Sequence, residues 1–321
     1  MSHSEEIRFR AGNASLAGTL LLPEGDVRHP WVLLVGSWLP RDRDGDWDRV
    51  GHPGWFAAPS ARSPRGLLAR LAEALAERGV ASLRYDPRGC GESDGIWEST
   101  DLFTRIDDAR DAIGAMRSRR ELDLRRTAIV GHGEGAITAI SVAISDPAIG
   151  AVGLIGAPAR PWRDVLRRGV AERGRTGTDR EHPVVAALDR WSEDLIERAL
   201  RREPSMPLAI GSEEVTLSLA AAEQAIHTPA LALVTMLHRN VLIVHGGADA
   251  WADPDEADLL ATTLSAAGID PVVQVVDGAG HDLAEADDER IGATAAALIA
   301  MMEPRELPPV LVAIEQMGGE G

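Results

Sequence analysis

From Trp31 to Met302 the chain switches repeatedly between two hydrophobic periods, and this switching constrains its fold more than any other feature. Short apolar runs bounded by turn residues read as strands: Trp31–Val35, with a buried-strand pattern, then Val80–Tyr85, Thr127–Val130, Ala151–Ile155, Val241–Val244 and Pro271–Val276. Between them lie stretches of helical period. Leu67–Arg78 places Leu67, Leu68, Leu71, Ala72 and Leu75 on one face. Asp107–Met116 continues a stripe of Ile106, Ala109, Ile113 and Met116. Ala136–Ile144, Pro254–Ala267 and Arg290–Met302 follow the same period. Strands that are apolar throughout need cover on both faces, and a helix between consecutive strands provides it. The pattern predicts an α/β fold, a mainly parallel doubly wound sheet with helices on both sides. Two alternating runs in Glu6–Leu22, broken at Gly12-Asn13, predict an antiparallel hairpin in front of it.

One stretch breaks the alternation. Residues 161–239 show helical patterns (Trp162–Ala171, Val184–Arg202, Ser212–Ala225, Pro229–Leu237) and no convincing strand. They predict a helical cap inserted between two parts of a core, residues 1–160 and 240–303. Such a cap covers the strand ends where sheets of this kind bind ligands. Pro308-Pro309 and Gly318-Gly319 predict a peripheral tail over 304–321.

Composition narrows the function. The net charge is −17 and all 33 basic residues are arginine. Such a surface attracts neither nucleic acid nor an anionic membrane. The lack of lysine excludes a lysine Schiff base or lysine general base. No apolar run approaches the roughly 18 residues of a membrane span, and the polar, acidic start Met1–Glu6 predicts a cytoplasmic protein. Cys90 is the only cysteine, so there is no disulfide framework and no cysteine metal site. With no metal-ligand spacing and no dinucleotide fingerprint, no cofactor is expected. A homodimer is compatible with the sequence.

Five short motifs carry the chemistry. Gly36-Ser37-Trp38-Leu39-Pro40-Arg41-Asp42-Arg43-Asp44-Gly45 follows the first parallel strand. Its alternating charges cancel, which suits a salt-bridged loop better than a phosphate site. Tyr85-Asp86-Pro87-Arg88-Gly89-Cys90-Gly91-Glu92-Ser93 follows the second, with Asp86 and Arg88 expected to tie strand end to loop. Gly131-His132-Gly133-Glu134-Gly135 joins a strand run directly to an apolar helix. After the cap come His245-Gly246-Gly247-Ala248-Asp249 and Gly278-Ala279-Gly280-His281.

In this order, on these elements, the motifs resemble the α/β-hydrolase superfamily over about residues 6–302, and most of all its bacterial acyl esterases. The resemblance implies that residues 131–135 form a nucleophile elbow, with Gly133 standing where the serine would be. It implies that Asp249 is the triad acid and His281 the base it orients. Ser37 and Trp38 would lie at the oxyanion loop, where the family has small residues and a shorter loop. Ser37 appears at the wrong loop position for a base-activated attack. His132 and Glu134 would support the elbow. Cys90 occupies a variable position and reads as a small apolar residue rather than a substitute nucleophile. Trp38, Trp47, Trp55, Trp97 and Trp251 fall in ligand-edge loops and predict a broad apolar pocket for a partly apolar small molecule.

Both the elbow and the oxyanion loop depart from the family, while Asp249 and His281 remain in their motifs. That combination favours an enzyme that uses a His–Asp dyad as general base on an acyl ester, with an imidazole titrating near neutrality. Elimination of a carboxylate such as acetate, as in the hydrolase-fold acetate eliminases of tetronate assembly, needs a base and no acyl-enzyme. Water-mediated ester cleavage is the neighbouring chemistry. A carboxylesterase whose serine has been mutated to glycine, and a non-catalytic small-molecule-binding pseudohydrolase, are the alternatives.

Overall fold

In the computed structural model, which describes residues 2–48, 66–177, 183–307 and 311–312, the apolar strand runs assemble into one eight-stranded sheet. The N-terminal hairpin pairs β1 (His3–Ala11) with β2 (Ala14–Leu22) around Gly12. The parallel strands are β3 (His29–Val35), β4 (Ala81–Tyr85), β5 (Leu122–His132), β6 (Ile149–Ile155), β9 (Asn240–Gly246) and β10 (Val272–Val276). Their spatial order is β1-β2-β4-β3-β5-β6-β9-β10, with β2 antiparallel to β4. The chain leaves β3 first to one side and then to the other, so the ends of β3 and β5 flank the switch point where such sheets bind ligands.

Two apolar layers sandwich the sheet. Helices α1 (Leu67–Ala76) and α9 (Asp288–Ala300) cover one face. Helices α2 (Leu102–Met116), α3 (Gly135–Ser145) and α8 (Asp255–Ala266) cover the other. Helix α2 begins where Asp101 accepts a hydrogen bond from the Thr104 amide, a cap that satisfies one of the free N–H groups of the first turn.

The insertion is not wholly helical. Helices α4 (Trp162–Thr176) and α5 (Pro183–Leu200) follow the sequence pattern. A hairpin of β7 (Ser205–Ile210) and β8 (Glu213–Ser218) then precedes α6 (Ala220–His227) and α7 (Ala230–Val234). The expected helix over Ser212–Ala225 is therefore half strand. Met206, Leu208 and Ile210 alternate inward, and Gly211 takes the positive φ of 59° that reverses the chain. Glu213, Glu214 and Thr216 hide the partner's period by facing outward. The tail also differs from expectation in part. Leu307 and Leu311 are buried in the core, while 308–310 and 313–321 lie outside the described residues.

The turn from β5 into α3 explains its glycines. A Cβ on Gly131 would collide with the Gly135 carbonyl, and one on Gly135 with the Gly36 carbonyl. The turn is thereby pressed against the loop that follows β3. Gly135→Ala is expected to destabilise the fold by about 1–3 kcal/mol through overpacking, read as a lowered urea midpoint at unchanged slope.

Candidate active site

Four loops bring the candidate residues to the C-terminal ends of β3, β5, β9 and β10. Gly133 sits at φ +56°, with its amide bonded to the Ile155 carbonyl at 2.9 Å. A Cβ built there would lie 3.1 Å from Nε2 of His281, 3.3 Å from Cβ of Ser37 and 3.5 Å from its Oγ. The imidazole edge and the Ser37 side chain thus both border the position a side chain at 133 would take.

His281 Nδ1 donates to Oδ2 of Asp249 at 2.8 Å. The carboxylate is buried, and its other oxygen accepts from the amides of Trp251 (2.7 Å) and Ala252 (2.9 Å). His245 Nε2 stands 3.3 Å from the same Oδ2 that His281 uses. Burial opposes the Asp249 charge. The positive charge of His281 and hydrogen bonds from His245 and His281 outweigh it, so the carboxyl lies well below the usual carboxylate range. Burial likewise opposes a charge on His281, but the Asp249 charge and hydrogen bond prevail and raise it to about 9. The expected titration near neutrality is corrected by this pairing. At pH 7 the imidazole rests as an imidazolium.

His132 is buried beside it, ring centroids 4.8 Å apart, with Nε2 against the His281 carbonyl at 3.2 Å. Burial and the neighbouring His281 charge lower it to about 4. His132, His281 and Asp282 offer ligand atoms within 4.8 Å of one another. Arg41, 2.8 Å from Asp282, already places a cation at that cluster.

Ser37 lies in the loop after β3. Its hydroxyl donates to Oε2 of Glu134 at 3.1 Å and accepts from the Leu39 amide at 3.2 Å. The loop turns back after Gly36, which puts a carboxylate beside this hydroxyl. The rest of the loop is salt-bridged: Arg43 to Asp86 (2.7 Å), Asp44 to Arg84 (2.6 Å) and Arg41 to Asp282 (2.8 Å). Arg88 is paired with Asp108 at 2.7 Å. Cys90 is buried, and burial pushes its thiol well up, which suits packing and not attack.

The broad pocket is replaced by two narrow chambers that share Trp38, Glu134 and Trp162 as walls. One, of about 40 Å³, runs behind Glu134 along Tyr85, Leu102, Arg105 and Ile137. The other, of about 20 Å³, lies at Gly133, Trp251 and His281. One water needs roughly 10–15 Å³ on such a measure, so each chamber admits a short group. The tryptophans take up the missing room. Trp38 stacks near Trp97 (5.5 Å) and Trp162 (5.7 Å). Trp97 lines neither chamber. It backs Trp38 by donating Nε1–H to the Trp38 carbonyl at 2.7 Å. Trp47 lies outside both as well, under the Arg41 guanidinium at 4.4 Å. Trp55 lies outside the described residues.

Sequence reasoning missed Trp162 and Arg105. Arg105 donates to the carbonyls of Ser37 (3.2 Å) and Trp38 (3.0 Å), clamping the loop from below. An Arg on the inner face of a helix whose neighbours are apolar was the only signal available.

A family model described as Hydrolase_4, serine aminopeptidase S33, matches residues 64–288. No curated protein matches the chain significantly. Among solved structures, the esterase Est1E from Butyrivibrio proteoclasticus with ferulic acid bound is similar at 16% identity and TM-score 0.62, over 92% of this chain and 99% of that one. The α/β-hydrolase GrgF from Penicillium sp. sh18 is similar at 17% identity and TM-score 0.63, over 94% and 99%. The acylaminoacyl peptidase of Pyrococcus horikoshii is similar at 13% identity and TM-score 0.62, over 98% of this chain and 44% of that one. At these identities the likeness establishes the α/β-hydrolase fold. No helix among the described residues is long and apolar enough to cross a membrane.

The His281 imidazole is expected to titrate by NMR with a midpoint of about 9, falling toward 6.5 in Asp249→Asn. Its folded value is raised above the unfolded one. Its contribution to stability is therefore complete below about pH 6.5 and lost as pH rises through about 9. His132 has the opposite sign. Its contribution is complete above about 6.5 and lost as pH falls through about 4.

Proposed function

Because the chain belongs to the Hydrolase_4 family of α/β-hydrolases (serine aminopeptidase, S33), we propose that it is an acyl-ester enzyme in which His281, oriented by Asp249, moves the proton and position 133 forms no acyl-enzyme. The position of the imidazole carries this reading. Nε2 stands 3.1 Å from where a side chain at 133 would begin, with Nδ1 fixed on Asp249. It faces the reacting space with no elbow hydroxyl between. The adjoining chamber of Trp251, Trp162 and Leu166 suits a short apolar acyl group.

Two routes would release a carboxylate here. In elimination, neutral His281 removes a proton α to a carbonyl. The bond from the β carbon to its acyloxy oxygen breaks, and an alkene forms. This is the reaction type of the tetronate acetate eliminases, and it would speed up as pH rises toward about 9. In water-mediated cleavage, a solvent oxygen enters the acyl carbon. Turnover in ¹⁸O-water separates the two, since only cleavage labels the released carboxylate.

His281→Ala is expected to lower turnover of a short acyl ester by about 10²–10⁴-fold, with Asp249→Ala acting in the same direction. If neither changes any turnover, the enzyme reading fails and a binding protein remains. Gly133→Ser is expected to bring no gain in ester turnover. A serine there would hold φ +56° and crowd both His281 and Ser37. A large gain with a burst would instead identify an esterase that has lost its nucleophile.

A further inference from the structure

The chamber behind Glu134 holds polar groups that neither the fold nor the dyad uses. It lies between the core helix α2, the start of α3 and the cap helix α6, and most of its wall is apolar. Tyr85, at the end of β4, lines it and is 7% exposed. The Tyr85 hydroxyl has no hydrogen-bond partner among the described residues, nor is it sealed within packed atoms. It therefore borders open space. Burial, aided by the Asp108 charge, pushes its phenol up, so it keeps its proton and can donate. Arg105 stands in the same wall. Two of its N–H groups hold the carbonyls of Ser37 and Trp38, and its Nε–H has no acceptor. A donor left unpaired inside a protein is costly, and a small number of donors in an apolar chamber is how ligand pockets fix orientation.

The chamber is open to an incoming group. Pro87, Glu134 and Ala225 in its wall are half-buried, so it meets solvent along them. Glu134 also walls the chamber of Gly133 and His281, and a molecule reaching from one to the other passes along its side chain. At about 40 Å³ the chamber holds about three water-sized positions, the room taken by a carbonyl and a methyl group. Charge selects among oxygen-bearing groups. The wall carries one cation, Arg105, against the carboxylates of Asp108 and Glu134, and Asp108 is paired with Arg88 at 2.7 Å. An anionic group finds no net positive field there, whereas a neutral acceptor needs only the donors.

We propose that this chamber recognises a ketone-type carbonyl on the alcohol part of the ester, with Tyr85 O–H and Arg105 Nε–H as its donors. The inference rests on the dyad reading above and names its substrate class, short acyl esters of keto alcohols. The acyl group lies at Gly133 and His281, and the alcohol part turns past Glu134 into the chamber. No bond is made or broken there. The chamber positions the ester for His281.

The test uses the full chain and two matched series of acetates. In one the alcohol part ends in a methyl ketone. In the other the ketone oxygen is replaced by a methylene group, which keeps the shape and removes the acceptor. The spacer is lengthened one methylene at a time. At one spacer length the ketone is expected to exceed its alkene twin in kcat/KM by about 10-fold or more, the scale of a hydrogen bond to a charged donor. Tyr85→Phe should lower that ratio several-fold. Ala222→Leu fills the chamber without removing either donor and should bring the ratio to about one. The corresponding free alcohols carry no ester and report on the chamber without turnover. By saturation-transfer NMR the keto alcohol is expected to bind about 10-fold or more tighter than the alkene alcohol. No ketone preference at any length, a preference for a carboxylate-ended acetate, or a preference unmoved by both variants overturns the proposal. No turnover of any acetate, or unchanged turnover in His281→Ala, overturns the dyad reading instead, and the free alcohols still decide the chamber.

Discussion

The buried carboxylate of Asp249 holds the site together. It has two oxygens and four neighbours: two backbone amides on one oxygen, His281 and His245 on the other. A buried anion without partners would be costly. Here the loop after β9 folds so that its own amides provide half of the compensation. The remaining half is an imidazolium, which means that the loop after β10 must come to the same point. Two segments separated by more than thirty residues in sequence are thereby locked in register, and the imidazole is left with only Nε2 to offer. The high His281 value and the low His132 value follow from one charge distribution. Asp249 stabilises one ring as a cation, and burial, reinforced by that cation, keeps the ring beside it neutral.

Against this fixed pair, the rest of the site reads as an exchange of volume. Gly133 carries no side chain, and Trp38 and Trp162 supply bulk beside it. The loop after β3 can carry a tryptophan because Arg105 grips two of its carbonyls and Trp97 supports the ring from behind. The bare turn at Gly133 and the bulky loop are thus parts of one packed unit.

The centre of the sheet was legible because its strands are buried on both faces there, as the unbroken apolar runs Val32–Val35 and Ile129–Val130 illustrate. The positions of Asp249 and His281 were legible because each sits in a glycine-framed loop at a strand end. The cap hairpin was not. Its outer strand, Glu213–Ser218, presents glutamate and threonine to solvent, and period-two burial of only Leu217 leaves too weak a signal. Ser37 has hydrogen bonds that were not legible in the sequence. Its environment depends on a three-residue reversal through Leu39, which no side-chain pattern encodes. The pocket's breadth was overestimated for a related reason. Counting loop tryptophans cannot tell a ring that borders a space from one that fills it.

The hydrogen bonds at the start of α2 carry one more consequence. Gln224 of the cap helix α6 donates to Asp101 and accepts from the Leu102 amide, so a cap residue completes the first turn of a core helix. One turn later the same helix presents Arg105 to the loop of Ser37 and Trp38. Lifting the cap would therefore fray the helix end whose arginine steadies the loop.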